Sequence, residues 1–286
     1  MLGMTLDFVF LGVAVVGVVM NLLLITLALR AKHELKEIKM VVGLALVDLV
    51  VPLLSIGCVV YHLVTKQDIA NGCNVKGVID FGGVFLSMLL VSIISLVRCS
   101  VILNWRIPTV LKLFLAGFVS VYFCLVALCA SLEEFYVLEA EIYCSPISTT
   151  SPISMAVLLL HASALLVFLT ITVTSYTRIL ISIVLSATPE EFVSLHSMQT
   201  KHSSWVTRKP VLIRTSAIII SYLFIVLPPS ILLFIEAILQ QQVASSLNTP
   251  IDLFLVSISI LNPTLVLFAH SIIFQQLMIL FRQGFR

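Results

Sequence analysis

Seven long apolar stretches limit what this chain can fold into. A helix that crosses a lipid bilayer needs about 20 mostly apolar residues. Seven stretches meet that length, at about 7–29, 40–62, 77–103, 109–131, 153–184, 211–239 and 251–269. Of the 286 residues, 60% are hydrophobic and only 10% are charged, which is too apolar for a soluble domain. The sequence therefore predicts an all-α protein with a single domain over residues 1–286, a seven-transmembrane helix bundle in a lipid bilayer.

The positions of the basic residues predict the orientation of this bundle. With the N-terminus outside, every Lys and Arg except Lys66 and Lys76 falls in a segment that faces the inside. An excess of basic residues is typical of cytoplasmic loops. We therefore expect a multi-pass protein of the plasma membrane with its N-terminus outside and its C-terminus in the cytoplasm. Because the net charge is only +2, the composition does not indicate a nucleic-acid partner.

Three segments outside the seven stretches are informative. The outer segment 132–151 is acidic and contains Cys144, and the inner segment of about 185–210 is polar. After helix seven, residues 271–283 carry apolar side chains on one side and mainly Gln and Arg on the others. This pattern favours a short amphipathic helix along the inner interface, and a frayed continuation of helix seven is the alternative.

Charged residues within the spans need a partner, water or a function, because a charge in the bilayer centre costs at least about 2.5–3.5 kcal/mol. Asp48, Asp80 and Arg98 are such residues. No HExxH motif, Ser/His pair or pair of carboxylates lies at an interface, so we do not expect an enzyme. Helix seven has no Lys, which excludes a retinal Schiff base. A transporter or channel is an alternative, although the charges do not pair along a pathway and no inverted repeat is visible.

Short motifs in five of the stretches resemble those of rhodopsin-like (class A) G-protein-coupled receptors. Helix two contains LALVD, which ends at Asp48, and helix three contains Val97-Arg98-Cys99 where the family has an acidic residue, Arg and Tyr. Cys73 precedes Arg98 by the same interval that separates the family's outer cysteine from its helix-three arginine. The lone Asn of helix one, the Tyr near the inner end of helix five and the Asn-Pro pair of helix seven correspond to Asn21, Tyr176 and Asn262-Pro263. Together these motifs cover the whole chain, as expected of a divergent family member.

The resemblance implies a receptor that transmits an extracellular small-molecule or peptide signal to a heterotrimeric G protein. Arg98, Tyr176 and Pro263 would then take part in activation and coupling. The outer cysteines Cys73 and Cys144 would form a disulfide, which an extracellular compartment permits.

The family also gathers polar residues around a sodium ion and water in the bundle centre. The matching residues are Asn21, Asp48, Ser87, Ser259 and Asn262. Carboxylate, hydroxyl and amide oxygens suit a hard cation, so Na⁺ held by Asp48 and Ser87 is one expectation and the sole cofactor we expect. The alternative is a protonated Asp48 that bonds directly to Asn262 and holds the helices together.

An outer site for a cationic ligand is a further expectation. Asp80 lies roughly five helical turns before Arg98, the spacing at which amine receptors of this family place their amine-binding Asp. The other candidate ligand-binding residues are His161, Glu236 and Asp252. Each has an alternative interpretation. Asp80 would pair with Lys76 one turn earlier, Asp252 would cap helix seven, Glu236 would be solvated, and His161 would pack between helices.

Three departures from the family bear on signalling. Val97 replaces the acidic neighbour that normally restrains Arg98, and Arg208 would repel Arg98, so we expect raised basal activity. Val266 stands where the family's helix-seven Tyr would be, and helix six lacks the Trp before its prolines. A relative that binds a ligand without signalling is therefore an alternative.

Overall fold

The computed structural model describes residues 2–31, 38–65, 73–132, 135–137, 144–146, 151–185, 198–239, 257–268, 273 and 275–279. The chain forms helices over nearly all of this part. They are α1 Leu2–Arg30, α2 Ile38–Thr65, α3 Cys73–Ile102, α4 Thr109–Ser131, α5 Pro152–Leu185, α6 Met198–Leu239 and α7 Ser257–Phe268.

Six of these helices, α1 to α6, are long and apolar enough to cross a membrane. Large apolar side chains point away from the protein along them; Val64 and Val110 are each 77% exposed and Phe224 is 71% exposed. A soluble monomer rarely leaves so much apolar surface in water, so this surface fits a lipid solvent. The chain is therefore a helical membrane protein. The described part of α7 is shorter, so the predicted seventh span stays a prediction.

The predicted boundaries agree closely for most helices, and α4 occupies the predicted range. The prediction of a loop over about 185–210 before a helix at 211–239 is wrong in part, because α6 already begins at Met198. The predicted span covered only the apolar part, whereas a helix can continue into water with polar side chains. Of the predicted interfacial helix over 271–283, residues 273 and 275–279 are described and helical, which leaves that prediction open.

Two short strands lie in the outer segment between α4 and α5. Strand β1, Phe135–Val137, pairs antiparallel with β2, Cys144–Pro146, and Val137 lies opposite Cys144. Both strands contact α3. The Phe135 backbone N–H donates to Asn74 Oδ1 at 3.2 Å, and a Cβ at Gly77 would collide with the Phe135 ring. This small sheet, which the sequence analysis did not anticipate, therefore rests on the first turns of α3.

Helix α3 is the central helix among those described. It packs against α2, α4 and α5, and 56% of its span is buried, against 22% for α4. The helix ends in a Schellman motif: Asn104 has a positive φ of 49°, and the Trp105 N–H reaches back to the Ser100 carbonyl at 2.9 Å. This motif turns the chain sharply at the C-terminal end of α3 and leads it into α4.

Candidate functional site

A central polar network joins five helices inside the bundle; it consists of Asn21, Asp48, Ser87, Tyr222 and Asn262. Each of these residues is at most 3% exposed. The Asn262 amide nitrogen donates to Asp48 Oδ2 at 3.0 Å and to Ser87 Oγ at 2.5 Å. On its other side, Asn262 Oδ1 accepts a hydrogen bond from the Tyr222 hydroxyl at 2.5 Å. Asn262 therefore links α7 to α2, α3 and α6.

The fifth member of the central polar network, Asn21, binds two backbone carbonyls that proline residues have left without a helical partner. Pro52 has no N–H to donate to the Asp48 carbonyl four residues earlier, and Pro263 has none for the Ser259 carbonyl. The Asn21 side-chain nitrogen donates to both, at 3.2 Å and 2.8 Å. Asn21 thus replaces two missing helical bonds and ties α1 to α2 and α7.

Helix α1 can approach α7 at this level because Gly17 has no side chain. A Cβ at Gly17 would lie 2.6 Å from Ser259 Oγ and 3.6 Å from the Pro52 ring. Ser259 is buried here, and its backbone carbonyl is the group that receives the Asn21 hydrogen bond. The predicted ion-pocket residues therefore all lie at one level of the bundle. Their hydrogen bonds join them mainly to one another.

The arrangement around Asn262 bears on the expected sodium ion. Asp48, Ser87 and the Asn21 Oδ1 atom supply oxygens that suit Na⁺, and Asn21 Oδ1 has no hydrogen-bond partner among the described residues. However, the Asn262 NH₂ group occupies the space between Asp48 and Ser87. The Asn262 amide oxygen accepts from Tyr222, so its nitrogen points toward Asp48 and Ser87. The residues fit the direct hydrogen-bonding interpretation, and a cation between Asp48 and Ser87 does not fit this arrangement.

Arg98 lies on α3 about three turns after Ser87, toward the C-terminal end of that helix. Its Nη1 atom donates to the Tyr176 hydroxyl on α5 at 3.3 Å. Arg98, Tyr176, Tyr222 and Val266 line a cavity of about 20 Å³, which has room for about one water molecule. Val97, by contrast, lines a groove on the lipid-facing surface between α3 and α4. The predicted coupling residues Arg98 and Tyr176 are thus in contact, next to Tyr222 of the central polar network.

The predicted outer site is organised around an ion pair within α3. Lys76 Nζ bonds to Asp80 Oδ2, and both residues are about 5% exposed. Asp80 Oδ1 has no hydrogen-bond partner among the described residues. The alternative that Asp80 pairs with Lys76 is therefore confirmed, and the carboxylate already faces one cation. The Glu236 side chain and the whole of Asp252 lie outside the described residues.

His161 packs against α3 and α4. Its Nδ1 lies 2.6 Å from the Tyr122 hydroxyl, which also bonds to the Phe81 carbonyl at 3.0 Å, and its ring lies 4.6 Å from the Phe81 ring. Because the Tyr122 hydroxyl donates to Phe81, His161 Nδ1 carries the hydrogen and donates to Tyr122. These contacts satisfy a buried histidine and match the packing interpretation.

Cys73, at the start of α3, is disulfide-bonded, whereas Cys58, Cys99, Cys124 and Cys129 form no disulfide. Strand β2, which contains Cys144, contacts α3. The Cys144 side chain lies outside the described residues, so the predicted Cys73–Cys144 pairing stays a prediction.

Sequence reasoning missed Tyr222 and Pro52. A tyrosine shortly before Pro228 and a proline one helical turn after the buried Asp48 were visible, but neither position matched a family motif. The position of Pro52 alone shows that the Asp48 carbonyl loses its helical donor.

Comparison with known proteins adds no identification. No family model matches the chain, and no curated protein sequence matches it. A functional assignment therefore depends on the motifs and on the geometry that joins them.

Proposed function

We propose that this protein is a divergent rhodopsin-like receptor of the plasma membrane that couples an outside ligand to a heterotrimeric G protein. The observation that carries the proposal is the central polar network. Residues from family motifs far apart in the sequence, Asn21, Asp48, Ser87 and Asn262, bond to one another inside one bundle. A chance match of short motifs would not require this convergence.

In this proposal, the ligand shifts an equilibrium between two arrangements of the helices. The Tyr222–Asn262 hydrogen bond holds α6 against α7, and release of that bond would let α6 move. Arg98 lies one level below and would meet the G protein at the cytoplasmic end. Arg98 contacts Tyr176, and Val97, the residue before it, lies on the α3/α4 surface and supplies no acidic side chain, which fits the expected rise in basal activity.

The outer end would receive the ligand. A Cys73–Cys144 disulfide would hold the strand pair β1 and β2 over the start of α3. Asp80 would not offer a free negative charge, because Lys76 neutralises it. A cationic ligand would have to displace Lys76, because the Asp80 carboxylate is buried and already paired.

The decisive test compares basal G-protein activation in cells that express the wild type or Arg98→Ala at equal surface density. We expect a basal signal in the wild type and its loss in Arg98→Ala. Arg30→Ala is the matched control, because Arg30 is an exposed arginine at the end of α1 and should leave the signal intact. A basal signal that survives Arg98→Ala would contradict the assigned role. Silence of both forms at the surface, even with ligands, would favour the decoupled receptor or a transporter.

The lock between α6 and α7 leads to a second prediction. Tyr222→Phe removes the hydroxyl that bonds to Asn262 and keeps the ring. A net hydrogen bond of about 0.5–1.5 kcal/mol corresponds to a roughly 2- to 12-fold shift in the helix equilibrium, so basal signalling should rise by up to that factor.

Tyr122→Phe is the matched control for this prediction. It removes a buried tyrosine hydroxyl whose partners are Phe81 and His161, away from α6 and α7. Equal basal signals in Tyr222→Phe and Tyr122→Phe, with surface expression matched, would show that the Tyr222–Asn262 bond does not act as a lock.

A further inference from the structure

A groove on the lipid-facing surface between α3 and α4 is not used by the proposed receptor mechanism. It has a volume of about 540 Å³, within the range of small-molecule sites. Its wall is entirely aliphatic. The lining residues are Leu89, Ile93, Leu96, Val97, Ile107, Leu115, Ala116 and Val119.

The size and the aliphatic lining of the groove favour a hydrocarbon chain as its ligand. A peptide segment inside a bilayer must satisfy its own backbone, so it would enter as a helix about 10 Å or more across. The groove is too small to hold more than about two turns of such a helix. A single acyl chain is narrow and brings no polar group that the aliphatic wall would leave without a partner.

The positive charge at the end of the groove favours a lipid with a negatively charged headgroup. The groove ends at Ile107 in the loop between α3 and α4, and the adjacent Arg106 is exposed. Residues 81–132 contain Arg98, Arg106 and Lys112 but no Asp or Glu, so no acidic residue of this segment neutralises that end. Exposed Trp105 lies in the same loop, as aromatic residues do at membrane interfaces.

We propose that the α3/α4 groove binds one acyl chain of an anionic glycerophospholipid, whose negatively charged headgroup lies beside Arg106. The basic loop is on the predicted cytoplasmic side, where anionic lipids are concentrated. The proposal requires only that the helices span a bilayer, and it does not depend on coupling to a G protein. Because neighbouring lipid is as apolar as the groove, preference for this lipid comes mainly from the headgroup charge.

The test measures lipid adducts on the full chain by native mass spectrometry, with phosphatidylglycerol and phosphatidylcholine of identical acyl chains. We expect wild type to retain phosphatidylglycerol preferentially. Ala116→Phe fills the groove and should abolish this adduct, while Arg106→Gln should lower the preference for phosphatidylglycerol roughly five-fold. Ala116→Leu is a milder second variant, should the larger side chain impair folding, and should weaken the adduct.

Two matched controls come from the chain itself. Ala127 lies roughly three helical turns after Ala116, on the same exposed face of α4 but beyond the groove, so Ala127→Phe should leave the adduct unchanged. Arg30→Gln removes an exposed arginine at a distant helix end and should leave the preference unchanged. Unaltered phosphatidylglycerol adducts in folded Ala116→Phe or Ala116→Leu would overturn the proposal. The proposal would also be overturned if these variants abolished a dimer and left the lipid adduct intact, because the groove would then be a contact between two copies of the chain.

Discussion

Lys76→Met should destabilise the protein by about 3–5 kcal/mol, the usual cost of removing one partner from a buried ion pair. Lys76 and Asp80 lie one turn apart on α3, and both side chains are almost fully buried. Without the ammonium group, the buried Asp80 carboxyl would lose its counter-ion and would have to take up a proton or carry an uncompensated charge. The midpoint of thermal unfolding in detergent should therefore fall by roughly 6 °C or more.

The free cysteines provide a natural probe for this measurement. Cys99 and Cys129 are buried, so a thiol-reactive dye should label them only as the bundle opens. Cys124 is exposed and gives the background in the folded state.

The double variant Lys76→Met/Asp80→Leu distinguishes loss of the pair from a general packing defect. Replacing both members of a buried ion pair by apolar side chains is often neutral or stabilising. We therefore expect the unfolding midpoint to return close to that of the wild type. If the double variant is as unstable as Lys76→Met, the defect lies in packing, and the charge argument fails.

The same ion pair shows what could be predicted from the sequence about Asp80 and what could not. The one-turn spacing allowed the Lys76–Asp80 pair, but the sequence also left open a cationic ligand at Asp80. Burial decided between the two, because both side chains are enclosed and already in contact. The sequence could not supply that burial, since it arises from the packing of α3 with its neighbours.

The spans themselves were predictable because lipid imposes a simple requirement on length and apolarity. Helix α4 consequently begins and ends where the sequence predicts. That requirement does not apply outside the bilayer. It therefore did not reveal that α6 begins at Met198 or that Phe135–Val137 forms a strand.

The interior of the bundle was partly predictable. The motif residues Asn21, Asp48, Ser87 and Asn262 do meet, but their hydrogen-bond partners were not predicted. The Asn262 amide oxygen faces the Tyr222 hydroxyl and its nitrogen faces Asp48, so an amide nitrogen lies beside Asp48 where the sequence allowed a cation. Such a choice depends on small differences in distance between helices far apart in the sequence.

Asn21→Leu should be the second strongly destabilising change, with an expected loss of about 2 kcal/mol from buried acceptors that lose their donor. The substitution keeps most of the side-chain volume, but it leaves the Asp48 and Ser259 carbonyls without the donor that replaces their helical bonds. Each buried acceptor without a partner costs about 1–3 kcal/mol, and measured values inside membranes lie toward the lower end. The thermal unfolding midpoint in detergent again reports the loss.

Pro52→Ala tests whether the cost of Asn21→Leu arises from the helical hydrogen bond that Pro52 removes. An alanine at position 52 has an N–H that can donate to the Asp48 carbonyl four residues earlier, so Asn21 is no longer that carbonyl's sole donor. In the Pro52→Ala background, Asn21→Leu should therefore cost roughly half as much as in the wild type. Pro229→Ala in α6 is the matched control, because distant substitutions add independently and the cost of Asn21→Leu should stay the same. An equal cost of Asn21→Leu in the wild type and in both proline backgrounds would mean that Asn21 stabilises the bundle by packing alone. The carbonyls freed by Pro52 and Pro263 would then not be the reason for an asparagine at this position.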